Sequence, residues 1–269
     1  MVKKTQLLNK KEILSNLSTE DKESLEELII FKEIGSTNDE AKNKISKIKD
    51  TNSSLAFFAE KQIMGRGRSG KSWESPKNVN IYLSFAWLTT MPPKELEGLS
   101  LSVAVEIVNA LNPILLNDTL KIKWPNDLFL SDQKVGGILV ESSIDKNKTG
   151  IVIGVGFNVL MSGKQNSIDQ NWTSLSLYFQ KDFDRNQIAG LILKSLFNLK
   201  QNFEKHGFSF YKKQFDSLNL LKNKKCLVTL AGQDLKGVVE GVKENGELIF
   251  REKDKIHYLR FGEVSIKNI

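Results

Sequence analysis

The spacing of hydrophobic residues predicts helical structure in three segments, the first of which also has a candidate helix cap at Ser18 with Asp21. Apolar positions recur at helical intervals in residues 7–29, 92–111 and 185–207. The second segment has prolines at its entrance, where the first turn of a helix tolerates them, and it is the clearest amphipathic helix of the chain. The third continues beyond Gly207, where we expect a break.

Runs rich in β-branched and aromatic residues predict strands around these helices. In chain order they read LIIFKEI, SLAFFAE, NVNIYLSFAWL, LKIKWPNDLFL, QKVGGILVESS and GIVIGVGFNVL. The turn-like segments SDQ and DKNKTG separate the last three runs. After the first run, Thr37 and Glu40 have the spacing of a capping box. A helix with Thr37 as its N-cap is therefore predicted there.

The pattern changes over residues 222–269. Short apolar runs alternate with turn signals at Gly232 and at Asn245–Gly246, and no helical spacing interrupts them. Short strands joined by tight turns are typical of a small β-barrel or sandwich. The chain is thus predicted to be an α+β body followed by a C-terminal β module.

Composition narrows the class of protein without naming a ligand. With 269 residues, of which 40% are hydrophobic, the chain can bury one substantial core and a small second one. No apolar run is long enough for a signal peptide or a membrane span, and the single Cys226 excludes an intramolecular disulfide, so we expect a cytoplasmic protein away from the membrane. The net charge of +7 is compatible with a polyanion partner. Its lysines are scattered among acids, however, which favours a solvated surface or a small phosphorylated ligand.

The stretch GRGRSGKS, residues 65–72, matches two nucleotide-binding patterns at once. It satisfies both the P-loop signature and the glycine pattern of dinucleotide-binding folds. Both patterns need a helix directly after the loop, whereas Pro76, two asparagines and another strand follow here. What remains is a loop with two arginines among glycines. Such a loop can bind phosphate through amides and guanidinium groups, or be an ordinary surface turn.

Two further segments carry charged residues toward the same region. KWPND and KVGGILVES place Lys123, Asp127 and Lys134 on neighbouring predicted strands. GVGFN adds two glycines and Asn158 in another, where glycine costs stability and often marks the close approach of a ligand. Each segment has an ordinary alternative: an edge turn at Trp124–Pro125, a solvated lysine, or a bulge at the glycine pair. Together they favour a ligand site.

The combination resembles the biotin protein ligases of bacterial type. GRGRSGKSW, KWPNDLFL, KVGGILVE and GVGFNV have the order and spacing of that family, and STN follows a short strand as it does there. The likeness covers about residues 28–269. It implies an α+β catalytic domain of class II synthetase-like type over residues 28–221 and an SH3-like β-barrel over residues 222–269. Residues 1–27 would then be an N-terminal helical segment or linker remnant.

The resemblance implies a two-step ligation that consumes ATP. The carboxylate of biotin attacks the α-phosphate of ATP with Mg²⁺ assistance, which gives biotinyl-5′-adenylate and pyrophosphate. The amine of a specific lysine on a biotin carboxyl carrier domain, such as that of acetyl-CoA carboxylase, then attacks the mixed anhydride. Because two anions must meet in the first step, cationic side chains have to offset their repulsion.

The site residues follow from the resemblance position by position. Those matched to catalysis are Lys134, Asp127, Arg66 and Arg68. Those matched to biotin binding are Ser36, Thr37, Asn38, Gln62, Arg66, Gly67, Arg68, Trp73, Lys134 and Gly137. Those matched to nucleotide binding are Arg66, Arg68, Lys134, Asn126, Asn158 and Trp172, and none is matched to a metal.

Some of these matches also have a structural explanation. Asp127 would act on the incoming lysine as a general base, or it would be a buried carboxylate capping the WPND turn. Thr37 would bind the ureido group of biotin, serve as a helix cap, or do both.

The chain departs from the family at two places. Well-studied members often carry a third arginine where Ser69 stands. Many bacterial relatives also begin with a winged helix-turn-helix repressor domain, whereas only residues 1–5 precede QLLNKKEIL here. We therefore expect no specific DNA binding, and we leave a homodimer open. The rival interpretations are a lipoate ligase or lipoyl transferase of the same catalytic fold and a nucleic-acid-binding regulator.

Overall fold

A computed structural model describes residues 6–48, 50–115, 119–145, 148–163, 168, 170–230, 232–260 and 264–268. Within these residues the strands are β1 Leu25–Phe31, β2 Ser54–Ala59, β3 Ile81–Thr89, β4 Lys121–Lys123, β5 Asp127–Leu130, β6 Gln133–Asp145, β7 Lys148–Phe157, β8 Lys225–Leu230, β9 Gln233–Val242, β10 Leu248–Glu252, β11 Lys255–Leu259 and β12 Val264–Asn268. The α-helices are α1 Lys10–Leu14, α2 Thr19–Ser24, α3 Thr37–Ile45, α4 Leu99–Leu111, α5 Leu175–Phe179, α6 Arg185–His206 and α7 Ser209–Leu218.

The α+β body is built on a seven-stranded mixed sheet. Its strand order is β1-β2-β3-β7-β6-β5-β4, in which β1 and β2 are parallel and the other neighbours are antiparallel. Strand β2 is buried along its whole length, which explains why SLAFFA reads as a continuous apolar run rather than an alternating one. The predicted α+β class is confirmed.

Helices cover both faces of this sheet. On one face, α4 packs against α6 and α7, and Phe197 of α6 meets Phe85 of β3 edge to face with ring centroids 4.9 Å apart. On the other face, α3 buries Ala41 and Ile45 against Phe57 of β2. The first turn of α3 lies beside the glycine-rich stretch noted in the sequence, and both face the region described below.

The N-terminal residues pack onto this body through a buried ion pair. The Arg185 guanidinium is fully buried and donates to Glu60 Oε2 at 2.7 Å, to the Gln6 carbonyl at 2.5 Å and to the Asn80 carbonyl at 2.8 Å. Glu60 also accepts from the backbone N–H of Leu8 at 2.6 Å. The N-terminal segment and the ends of two strands are therefore joined at one buried point.

The C-terminal residues form a separate antiparallel sheet in the order β11-β10-β9-β8-β12, as the predicted β module requires. The predicted turn at Asn245–Gly246 lies between β9 and β10, and Gly246 has a φ of +83° that suits glycine. Trp124 Nε1 donates to the Gly246 carbonyl at 3.1 Å. This hydrogen bond joins the C-terminal β module to the α+β body.

Three local predictions were wrong. Residues 7–29 form the two short helices α1 and α2 and the start of β1, because the sequence between the helices closes one helix and caps the next. LKIKWPNDLFL is a hairpin of β4 and β5, since Pro125 has no N–H to continue a strand ladder. The helix in residues 92–111 starts at Leu99, after Gly98 turns the chain with a φ of +78°.

The predicted cap of α3 was also wrong. Ser36 occupies the N-cap position, and Thr37 is the first helical residue. The Thr37 hydroxyl donates to Gln62 Oε1 instead of capping the helix, at 3.1 Å. Among the described residues no helix has the length and hydropathy to cross a membrane.

Candidate active site

A cleft of about 1100 Å³ opens over the ends of β5, β6 and β7 and beneath the glycine-rich loop, residues 62–74. Every residue predicted for the site lines it: Ser36, Thr37, Asn38, Gln62, Arg66, Gly67, Arg68, Trp73, Asn126, Asp127, Lys134, Gly137, Asn158 and Trp172. The structure thus brings together residues from six separate stretches of sequence. Their roles are the subject of the proposals below.

An open ion pair lies in this cleft. Lys134 Nζ is 2.8 Å from Asp127 Oδ1 and 5.3 Å from the centre of the Trp73 ring. The antiparallel register pairs Asp127 of β5 with Gly137 and Lys134 of β6 with Phe129, so the two side chains of the ion pair meet diagonally across these strands. The Lys134 backbone is held by Asn171 O and by Thr173 N, at 3.0 and 2.9 Å. Its cationic group is therefore presented from a rigid position.

A hydrogen-bonded pocket lies beside the start of α3. Gln62 Oε1 accepts from the Thr37 amide at 2.9 Å and from the Thr37 hydroxyl at 3.1 Å. The Ser84 hydroxyl donates to Asn38 Oδ1 at 2.5 Å, and Asn38 Nδ2 donates to Glu141 Oε2 at 2.8 Å. These buried amide and hydroxyl groups offer both donors and acceptors, which a ligand carrying an amide or urea group requires.

Glycines make room for the two side chains that line this pocket. A Cβ on Gly154 would lie within 2.5 Å of the Asn38 amide, and one on Gly156 would lie equally close to the Trp73 ring. A Cβ on Gly137 would be 3.0 Å from the same ring. The space beside these strand glycines is thus occupied by Asn38 and Trp73, two residues that the sequence predicted to bind the ligand.

The glycine-rich loop folds back on itself across the mouth of the cleft. Gly67 N donates to Lys71 O at 2.7 Å and Trp73 N donates to Gly65 O at 2.9 Å. Ser69 has a φ of +53°, a left-handed conformation that costs energy for a residue other than glycine. No helix lies between Ser72 and the start of β3 at Ile81, so neither nucleotide-binding pattern has the context it needs.

The two arginines of this loop have different partners. Arg68 Nη1 donates to Asn126 Oδ1 at 3.3 Å. Burial of the Arg68 side chain lowers its pKa, but a guanidinium group stays charged in proteins. Arg66 instead pairs with Asp39, with its two terminal nitrogens 2.5 and 2.7 Å from the carboxylate oxygens. Only Arg68 lies beside the open ion pair.

The far end of the cleft is built on a buried amide network. Asn80 Nδ2 donates to Asn158 Oδ1 at 3.1 Å, and Asn158 Nδ2 donates to the Thr173 carbonyl at 3.0 Å. Asn158 directly follows β7 and is buried, so it lines the cleft and supports the segment that carries Trp172. Trp172 itself bridges to Lys134 through the backbone.

Sequence reasoning missed several residues of this region. Ser84 could have been recognised because it is a polar residue inside an apolar strand. No comparable sequence feature marks Asp39 or Glu141 as part of the site. Lys123 was noted on its strand but assigned no role, and it lines the cleft where burial lowers its pKa. Among the described residues no group of three or more His, Cys, Asp or Glu side chains could hold a metal ion.

Comparison with known proteins was made by sequence and by fold. A model of the biotin/lipoate A/B protein ligase family matches residues 30–158. The chain is 34% identical over 268 residues to the bifunctional ligase/repressor BirA of Escherichia coli, covering 98% of this chain and 79% of that protein. It is 30% identical over 173 residues to the biotin--[acetyl-CoA-carboxylase] ligase of Mycobacterium tuberculosis, covering 63% of this chain and 62% of that one.

Its fold is similar to that of the biotin protein ligase from Aquifex aeolicus solved in complex with biotin and ATP. The TM-score is 0.75 at 27% identity, covering 91% of this chain and 100% of the other.

Proposed function

The chain belongs to the biotin/lipoate A/B protein ligase family, and we propose that it activates biotin with ATP and transfers it to a lysine of a biotin carboxyl carrier domain. This agrees with the resemblance on which the sequence prediction was based. The observation that carries the proposal is the cleft itself, where a hydrogen-bonded pocket at Thr37 and Gln62 adjoins a cationic end at Lys134 and Arg68.

The two ends suit the two parts of a biotin molecule. The ureido group needs donors and acceptors, which the buried Thr37–Gln62 and Asn38–Ser84 groups supply. The carboxylate needs cationic partners, and Lys134 is held at the other end by its backbone contacts. We assign Trp73 to the wall between the two ends, since its ring lies against Gly137 and Gly156.

In the first step a biotin carboxylate oxygen forms a bond to the α-phosphorus of ATP. The bond from that phosphorus to the bridging oxygen of the β-phosphate breaks, and pyrophosphate leaves. Lys134 and Arg68 offset the repulsion between the two anions and the charge that develops at phosphorus. We assign Asn126, Asn158 and Trp172 to the nucleotide end, because they border the cationic groups on the far side of the cleft.

In the second step the neutral amine of the carrier lysine attacks the carbonyl carbon of the adenylate. A C–N bond forms, the bond between that carbon and the phosphate oxygen breaks, and AMP leaves. The proton lost by the amine needs an acceptor within reach. We assign this role to Asp127, whose carboxylate lies in the cleft and whose pairing with Lys134 keeps it oriented.

Magnesium enters this scheme with the nucleotide. Mg²⁺ in nucleotide sites is held by one or two carboxylates together with phosphate oxygens and water. Asp127 is the carboxylate nearest the cationic groups, and the described residues hold no carboxylate cluster for a cage of their own. When bound, the ion would neutralise charge on the phosphates.

The proposal extends to partners and compartment. ATP and carrier domains are available in the cytoplasm, where we place the reaction. The described N-terminal residues form two short helices, of which α1 packs against α6, and not a winged helix-turn-helix. We therefore propose that these N-terminal residues do not read a promoter. A gel shift at physiological salt, with and without biotin and ATP, would overturn this by showing a ligand-dependent shift of the biotin-synthesis promoter over random DNA.

The test of the main proposal is transfer of labelled biotin. The full chain is incubated with ATP, Mg²⁺, labelled biotin and a biotin carboxyl carrier domain, and a carrier with its target lysine replaced by arginine serves as the control. We expect label on the unmodified carrier alone. Transfer of lipoate with no transfer of biotin would show that the lipoate ligases, which share the family, are the better description.

A further inference from the structure

Arg66 is one of the loop arginines that the sequence matched to phosphate, but it is committed elsewhere in the structure. Its two terminal nitrogens lie 2.5 and 2.7 Å from the two oxygens of Asp39, which is a bidentate pair. One of them is also 3.7 Å from Glu141. Both terminal nitrogens of Arg66 therefore face carboxylates, which fixes the orientation of the guanidinium group.

These residues belong to a balanced group of charges that we call the clasp: Asp39, Lys42, Arg66 and Glu141. Lys42 lies 3.2 Å from Asp39 and 2.8 Å from Glu141, so each carboxylate contacts both cations. The cationic neighbours hold the pKa values of Asp39 and Glu141 below their ordinary range, and the carboxylates raise that of Arg66. The clasp is therefore fully ionised near neutral pH.

The clasp joins three separate elements around the cleft. Asp39 and Lys42 stand on α3, Glu141 on β6, and Arg66 on the glycine-rich loop. It also reaches into the pocket, because Glu141 accepts from Asn38 at 2.8 Å. Since the loop carries Gly67, Arg68 and Trp73 over the cleft, a fixed Arg66 fixes where those residues lie.

We propose that Arg66 is a positioning residue, held by Asp39, which fixes the glycine-rich loop over the biotin pocket, while Arg68 serves the phosphate. This inference rests on the proposed function for its kinetic test. It makes Asp39, which no sequence signal marked, as important for biotin affinity as Arg66 itself.

The test is a double-mutant cycle of Asp39→Ala and Arg66→Ala, read by biotin-dependent ATP–pyrophosphate exchange. Each single variant should raise the KM for biotin by roughly 10- to 100-fold, the scale on which small misplacement acts, with a smaller change in kcat. The double variant should be no worse than either single one, because both remove the same contact. The exchanged pair Arg66→Asp with Asp39→Arg should recover part of the loss.

A matched control is Glu27→Gln, which removes a 3.0 Å ion pair between β1 and Lys44 of the same helix and should leave the KM for biotin unchanged. Two results would overturn the proposal. In the first, Asp39→Ala has a normal KM for biotin whereas Arg66→Ala loses kcat. This result would assign Arg66 to the phosphate. The other is additive losses in the double variant.

Hydrogen exchange separates this inference from the proposed function. Without any ligand, amides of residues 65–73 should exchange faster in Asp39→Ala than in the wild type. Unchanged exchange would contradict the clasp even in an active enzyme. A wild type without biotin-dependent exchange of pyrophosphate would contradict the function, and faster amide exchange in the variant would still support the clasp.

Discussion

Two ion pairs of nearly equal length occupy opposite situations in this molecule. Arg185 and Glu60 meet at 2.7 Å with side chains 0% and 6% exposed, whereas Lys134 and Asp127 meet at 2.8 Å with side chains 13% and 22% exposed. The first lies beneath the N-terminal segment, and the second lies in the cleft. Distance alone does not distinguish them.

Their remaining partners do. Arg185 also donates to two backbone carbonyls, and Glu60 accepts a backbone amide, so that pair is committed to the scaffold. Lys134, by contrast, pairs with Asp127 among the described residues. Its ammonium group has three N–H donors, so it can also donate to a ligand. The comparison shows that the closed pair is bound into the scaffold, whereas the open pair faces the cleft, where we propose that it takes part in the chemistry.

The largest expected effect comes from breaking the closed pair. Arg185→Met leaves Glu60 buried without its cation, which should cost about 3–5 kcal/mol of unfolding free energy. The matched control is Arg251→Met, whose partner Glu240 is on the surface and whose loss should cost about 0–1 kcal/mol. Chemical denaturation measures both, and equal losses in the two variants would contradict the comparison.

Breaking the open pair should affect rate instead of stability. Lys134→Ala removes a cation that we propose acts mainly in the transition state, so adenylation should slow by two to three decades, or about 2.7–4 kcal/mol of barrier. The melting temperature should change little, because the side chain is partly open to the cleft. A variant with near-wild-type exchange activity would remove Lys134 from the catalytic set.

A smaller effect should follow from filling the floor beneath the open pair. Gly156→Ala places a Cβ within 2.6 Å of the Trp73 ring, so the ring must shift, and overpacking of this kind costs about 1–3 kcal/mol. We expect a higher KM for biotin with less change in kcat. The control is Gly35→Ala, where the nearest atom is 4.0 Å away. An unchanged KM in Gly156→Ala would place biotin away from Trp73.

The smallest effect concerns Glu106, a buried carboxylate with no ion pair to a cation among the described residues. Burial raises the pKa of Glu106, while the Tyr211 hydroxyl donates to it at 2.8 Å. Because the folded state binds this proton more tightly than the unfolded state, its stabilising contribution is present at low pH and lost as the pH rises through the folded pKa. Glu106→Gln should therefore gain stability relative to the wild type as the pH rises above about 4, where the carboxyl group ionises in the unfolded chain.

Thermal unfolding across this range measures that difference. If the melting temperatures of Glu106→Gln and the wild type differed by the same amount at every pH, the protonation of Glu106 would not change on unfolding. The carboxylate would then be accommodated in this buried position without a cation.

Local pattern predicted most of the strands, and every residue matched through the family resemblance lines the cleft, but other lining residues such as Lys123 were missed. Strand runs such as that of β2 are continuous and apolar, and the glycines of β7 stand out within a strand. The contacts that decide roles are distant in the chain: Arg185 meets Glu60 across 125 positions, and Arg66 meets Asp39 across 27. No spacing rule reports such pairs.

The errors have the same origin. Thr37 has the spacing of a helix cap, yet Gln62 draws its hydroxyl into the cleft, because a tertiary partner competes with the local one. Local pattern could therefore identify the site but not the partner of each side chain.

The central claim is that the open pair activates biotin while the closed pair only holds the fold. Biotin-dependent ATP–pyrophosphate exchange, measured for the wild type, Lys134→Ala and Arg185→Met and corrected for the folded fraction of each, tests it directly. The account predicts exchange in the wild type, comparable exchange per folded molecule in Arg185→Met, and a loss of two to three decades in Lys134→Ala. Exchange independent of biotin, or equal losses per folded molecule in both variants, would contradict it.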